Sequence, residues 1–158
     1  MDLGSWIPPG GLPEYMVSGL LAPICSAMVY LHGLPVVHRD IKPSNVFCER
    51  AEDCSVKVVL ADFGLAAHIM DKRSMSSICG TAGFVAPEMY QPDWDIHLEE
   101  EAVANVTKID VFSFGMMVYA TAFGENPFIG TTQNWTYALN ALCLLPFSNM
   151  GGRSDDLK

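Results

Sequence analysis

"VVHRDIKPSNVF", residues 36–47, sets a histidine, two cations, an acid and an asparagine between two apolar pairs. The pieces around it, "PVVH" and "NVFC", are rich in β-formers, and "VKVVLADFG" downstream is a third such piece running into an aspartate. The polar stretch "ERAEDCS" separates the last two, so Val46–Cys48 and Val56–Leu60 are expected to pair as a hairpin. The polar residues of the opening stretch then stand at strand ends, held by apolar neighbours.

Working outward, "PEYMVSGLLAPICSAMVYLHG" carries Met16, Leu20, Ile24, Met28 and Leu31 near helical spacing, with Gly33 as its stop. Pro23 lies inside that helix and predicts a kink or a break, because proline lacks a backbone donor and clashes with the preceding turn. Residues 1–13 are rich in Gly and Pro and read as a linker. From Leu65 to Ile109 no period is visible, and a stretch of that length inside a domain points to function or mobility. From Asp110 an apolar helix is expected, and "TTQNWTYALNALCLL", residues 131–145, reads as an amphipathic helix before a frayed tail.

Composition narrows the class. The 158 residues are 50% hydrophobic, enough for one domain with a core. Eighteen acids against nine bases give a net charge of −9, which repels phosphate backbones and argues against nucleic acid as a partner. Five cysteines without a C-x-x-C pair point to neither a disulfide framework nor a zinc cluster. The first residues lack the pattern of a signal peptide. The longest apolar run, Val111 to Phe123, is shorter than the roughly 20 residues of a membrane span. An intracellular, cytoplasmic protein with no membrane segment is expected, with the glycosylation-type triplets at Asn105 and Asn134 unused.

An acid, a lysine two residues on and an asparagine three further fit phosphoryl transfer to a hydroxyl. That reaction needs a group to orient the attacking oxygen and take its proton, a cation near the transferring group, and oxygen ligands for Mg²⁺. Asp40, Lys42 and Asn45 offer these in turn, and Asp62 of "ADFG" adds a second metal-binding oxygen ligand. The chain closely resembles the eukaryotic protein kinase family, whose motifs H-R-D-x-K-x-x-N, D-F-G and A-P-E recur in order. Here they are His38-Arg39-Asp40 with Lys42 and Asn45, then Asp62-Phe63-Gly64, then Ala86-Pro87-Glu88, followed by "DVFSFG".

The resemblance implies an α+β fold, a mainly α-helical C-terminal lobe with short β-hairpins at the catalytic and metal loops. Residues 1–158 would form a partial kinase domain, with catalytic loop 38–45, activation segment 62–88 and central helix at about 109–123. It implies a serine/threonine kinase acting on a protein substrate with ATP and Mg²⁺, since Lys42 and Thr81 of "GTAGFVAPE" resemble the serine/threonine pattern. Phe47 would floor the adenine site, His38 and Phe63 would stack in the column of an assembled site, and Asp110 would brace the catalytic-loop backbone. Ser44 stands where basophilic kinases often carry Glu. Arg39 beside the catalytic acid implies a phosphate on the activation segment, best placed at Ser77 among Ser74, Ser76 and Ser77 and added by an upstream kinase.

The chain departs from the family in three places. Between Glu88 and Asp110 lie 21 residues holding the acidic "DWDIHLEEE", read as a solvated insertion. No G-x-G-x-x-G precedes Asp40 and the first lysine is Lys42, so the N-terminal lobe is expected to be missing. The arginine that normally pairs with Glu88 is also expected to be missing, with Arg153 a weak substitute. The competing expectation is a catalytically weak C-lobe that serves as a protein-binding scaffold.

Overall fold

The structure is a computed structural model that describes residues 1–53, 55–90 and 105–128. The acidic stretch 93–101, the segment 131–145 and Arg153 lie outside the described residues.

Helix α1 spans Glu14–Gly33, and Val17, Leu20, Leu21, Ile24 and Met28 form its buried stripe. It runs through Pro23 as one element, which corrects the expected break. Pro23 and Gly19, whose carbonyl loses its helical donor, are both exposed, so the missing bond falls on the face where water can replace it. By length and composition α1 also reaches the size of a membrane span, the one such helix among the described residues. Polar residues interrupt it, so a search for an unbroken apolar run passes over it. Its buried stripe is that of a helix packed along one side.

Two short antiparallel ribbons follow. Strand β1, Val36–Val37, pairs with β4, Ala67–His68, while β2, Val46–Arg50, pairs with β3, Val56–Leu60, in the register Val46↔Leu60 to Arg50↔Val56. In β2 the first four residues alternate: Val46 and Cys48 face the core, Phe47 and Glu49 face out. The β1–β4 pairing was not foreseen, because a two-residue strand has no period to read. The aperiodic stretch also holds a short helix, α2, Lys72–Met75, capped by Asp71, and a 3₁₀ turn, Pro87–Tyr90.

Helix α3, Lys108–Phe123, begins two residues before Asp110 and ends on Gly124 in the left-handed conformation (φ 79°). The buried hydroxyls of Ser113 and Thr121 donate to the carbonyls of Ile109 and Met117, so neither is left unsatisfied. The Gly/Pro-rich start packs as structure rather than as a linker. Leu3 is fully buried, the Leu12 amide donates to the Thr121 carbonyl, and a Cβ on Gly124 would lie 2.7 Å from the backbone of Pro8, Gly10 and Gly11. Glycines here allow two backbones to touch, a use that composition alone does not distinguish from flexibility.

Among the described residues the buried apolar side chains form two clusters. One joins the α1 stripe to Leu3, Ile41, Val46, Leu60 and Met117, and the other joins Val37, Ile69, Met75, Val85, Met89 and Ile109. Residues 38–45 cross between them, with Val37 embedded in one and Ile41 in the other.

Candidate active site

The crossing segment is fixed from beneath by Asp110, which is fully buried in the first turn of α3. Its Oδ2 accepts the His38 amide at 2.8 Å and its Oδ1 accepts the Arg39 amide at 2.8 Å. Two successive amides converge on one carboxylate because Arg39 adopts φ 67°, a left-handed conformation that costs a non-glycine residue about 1–3 kcal/mol and needs such support. His32, in the last turn of α1, brings its Nε2 within 2.9 Å of the same Oδ2. Sequence reasoning missed His32, because the motif that follows says nothing about which helix end lies against it.

Above this support the polar side chains meet. Asp40 Oδ2 is 2.8 Å from Lys42 Nζ and accepts Asn45 Nδ2 at 2.9 Å, and Asp40 Oδ1 accepts the Thr81 hydroxyl at 2.7 Å. Lys42 Nζ in turn donates to Thr81 Oγ1 at 2.6 Å, closing a triangle. Burial pushes the Asp40 carboxyl up, but the Lys42, Thr81 and Asn45 hydrogen bonds and the Lys42 charge together outweigh it and hold it below the ordinary 3.8. An ionised carboxylate in that position can accept a proton.

Asp62 is joined to the cluster through its neighbour. The Ala61 amide donates to the Asn45 carbonyl at 2.9 Å, and the Ala61 carbonyl lies 3.1 Å from His38 Nε2. The Asp62 carboxylate is exposed, accepts the Gly64 amide at 3.2 Å, and sits on a left-handed backbone, φ 62°. Thus Asp40, Lys42, Asn45 and Thr81 touch directly, and Asp62 is brought alongside by backbone. His38, fully buried, accepts the Asp40 amide at Nδ1, so its Nε2 carries the hydrogen offered to Ala61, a neutral tautomer set by its partners. The Phe63 ring meets His38 edge-on at 4.9 Å and 65°, while Phe47 is 51% exposed on the outer face of the β2–β3 ribbon beside Val59.

Asn45 spends its amide hydrogens on Asp40, and its Oδ1 takes no hydrogen bond among the described residues. Among those residues no group of three His, Cys, Asp or Glu could hold a metal alone. A pair of hard oxygens without a closed cage fits Mg²⁺, an ion usually held by one or two protein ligands and by phosphate oxygens.

The stretch from Leu65 to Ser77 folds against Arg39. Arg39 Nε donates to the Leu65 carbonyl at 2.7 Å and Nη1 to the Ser74 carbonyl at 2.5 Å, and the Ser77 hydroxyl donates to that same Ser74 carbonyl at 2.7 Å. Glu88 is half-buried and has no ion pair among the described residues. A groove of about 540 Å³ between α1 and α3, lined by Tyr15, Leu21, Cys25 and Phe114, takes in none of these polar side chains.

Residues 3–153 match the family described as the protein kinase domain. The chain is 35% identical over 116 residues to the serine/threonine-protein kinase DCLK3 of Homo sapiens, covering 73% of this chain and 16% of that protein. It is 33% identical over 151 residues to myosin light chain kinase A of Dictyostelium discoideum, covering 94% and 48%. It is 36% identical over 117 residues to the serine/threonine-protein kinase RAD53 of Saccharomyces cerevisiae, covering 72% and 14%. The chain therefore spans less than half the length of each of these relatives.

Proposed function

The chain belongs to the protein kinase family, and on that premise we propose that it is the C-lobe portion of a kinase transferring the ATP γ-phosphate to serine or threonine hydroxyls of a protein. The observation that carries this reading is the bonded cluster of Asp40, Lys42, Asn45 and Thr81, tied to the Asp62 loop by both backbone groups of Ala61. In this reading Asp40 orients the acceptor hydroxyl and takes its proton, and Lys42 sets positive charge beside the transferring group. Asn45 and Asp62 would hold Mg²⁺, which when bound neutralises charge on the phosphates. Phe47 would lie under the adenine. His38, Phe63 and Asp110 support the loops, and Glu88 belongs to the end of the activation segment.

The test is binding of Mg-ATP by the protein that carries this chain. At a hundredfold excess over Kd, ligand linkage stabilises the folded state by about 2.7 kcal/mol, read as a rise in Tm that requires Mg²⁺. Asp62→Asn is expected to remove the Mg²⁺ dependence. A protein whose Tm does not respond to Mg-ATP, with no phosphate transferred, would favour the scaffold reading. That alternative draws on the lack of a Gly-rich loop or lysine ahead of Asp40 within the chain.

The shared carbonyl supports a regulatory reading of Ser77. Arg39 Nη1 and Ser77 Oγ both bond the Ser74 carbonyl, so a phosphate on Ser77 lies within reach of the guanidinium and exchanges a neutral acceptor for a charged one. Thr81 belongs to the same segment and ties it to Asp40. Treatment with an activating kinase is expected to raise the wild-type rate and leave Ser77→Ala unchanged. An equal response of both proteins would rule Ser77 out as the regulatory position.

A further inference from the structure

Resting on the kinase reading, we propose that Asn126 is a positioning residue for the segment along which the phosphate acceptor approaches, and that Gly83 provides the space into which it fits. An acceptor hydroxyl must reach Asp40, and Thr81 is bonded to that carboxylate, so residues 81–85 line the approach. The Phe84 amide donates to the Thr81 carbonyl at 2.9 Å and closes a turn through Ala82 and Gly83. The turn is held on its far side by two residues from α3 and the chain after it. Asn126 Nδ2 donates to the Gly83 carbonyl at 3.0 Å, and the Ser113 hydroxyl donates to the Phe84 carbonyl at 2.7 Å.

The amide of Asn126 is used at both ends, since its Oδ1 accepts the Phe128 amide at 2.8 Å. Reversing it would set oxygen against the Gly83 carbonyl and nitrogen against the Phe128 amide, so its orientation is determined by its partners. Gly83 meets two demands at once. Its φ is +86°, and a Cβ there would lie 2.9 Å from Asn126 Nδ2 and 3.2 Å from its Cγ. The residue that grips the turn occupies the space that a side chain at position 83 would need. Asn126 therefore sets the path of the acceptor-facing backbone without touching Asp40, Asn45 or Asp62.

Amide exchange on the full chain tests this. In Asn126→Ala the Phe84 amide is expected to exchange roughly three- to tenfold faster, the range set by the net worth of one hydrogen bond, while the β2–β3 amides keep their rates. Asn126→Asp retains the acceptor for Phe128 but not the donor for Gly83, so it should speed Phe84 exchange and leave Phe128 protected. In the catalytically active protein that carries this chain, Asn126→Ala should raise KM for an acceptor peptide several-fold, with kcat and KM for ATP unchanged. Phe84 exchange at the wild-type rate in Asn126→Asp, or acceleration in step with the β2–β3 amides, would overturn the positioning role. Absence of phosphate transfer in every form of the protein would overturn the kinase reading alone, since the exchange result is independent of it.

Discussion

Replacing Asp40 with asparagine is expected to lower phosphate transfer by about 10²- to 10⁴-fold, the range that general-base catalysis supplies, while the protein stays folded. Asp40 is 8% exposed, with Oδ2 engaged by Lys42 and Asn45 and Oδ1 accepting one hydrogen bond, from Thr81. An incoming hydroxyl can bond the second lone pair of Oδ1 beside Thr81, and the asparagine amide cannot take up its proton. The cost to folding is smaller, because the amide keeps one acceptor and the neighbouring hydroxyl can rotate.

Acid sensitivity should change as well. The native bonds hold the Asp40 carboxyl below its ordinary 3.8, so they contribute stability above that value and lose it as pH falls through the lower native pKa. Asp40→Asn lacks that contribution at every pH. The measurement is transfer of labelled γ-phosphate to a serine or threonine peptide, by the protein carrying this chain, with a thermal melt as the folding control. A folded Asp40→Asn protein working within tenfold of its parent would remove Asp40 from the mechanism.

Asp110→Ala is expected to destabilise the fold by about 3–5 kcal/mol, a large share of the about 5–15 kcal/mol that holds a typical domain together. The carboxylate is 0% exposed and accepts the His38 and Arg39 amides, with His32 Nε2 at hydrogen-bonding distance from the same group. Truncation leaves the His38 and Arg39 amides buried without an acceptor, at about 1–3 kcal/mol each, and removes what offsets the left-handed strain at Arg39. Asp110→Asn should also destabilise, because one end of its amide would meet an amide hydrogen with a donor of its own. Urea unfolding measures both variants, and a loss below about 1 kcal/mol for Asp110→Ala would show that the loop is held by something else.

Asp40, Lys42 and Asn45 were legible in sequence because they come in one short run whose spacing is itself the signal, whereas the Thr81 contact with Asp40 spans 41 positions and was not. The β2–β3 hairpin and helix α3 were legible through alternation and an apolar run. What escaped rests on contacts between distant residues. His32 reaches Asp110 across 78 positions and Asn126 reaches Gly83 across 43, and neither leaves a local period. Glycines 10 and 11 look like flexibility in composition and act, with Gly124, as close packing in space. The continuity of α1 through Pro23 depended on which side of the helix faced solvent, which a proline in a sequence does not reveal.

The two ribbons have a mechanical consequence. Residues 38–45 leave β1 and arrive at β2, and residues 61–66 leave β3 and return to β4, so both spans are suspended between the same pair of paired strands. The arrangement is a four-bar linkage: two stiff bars, each a ladder, and two coupler arms, one bearing Asp40 and the other Asp62. If one bar slides or tilts against the other, both arms must swing together, so the Asp40 and Asp62 carboxylates stay in step through any such motion.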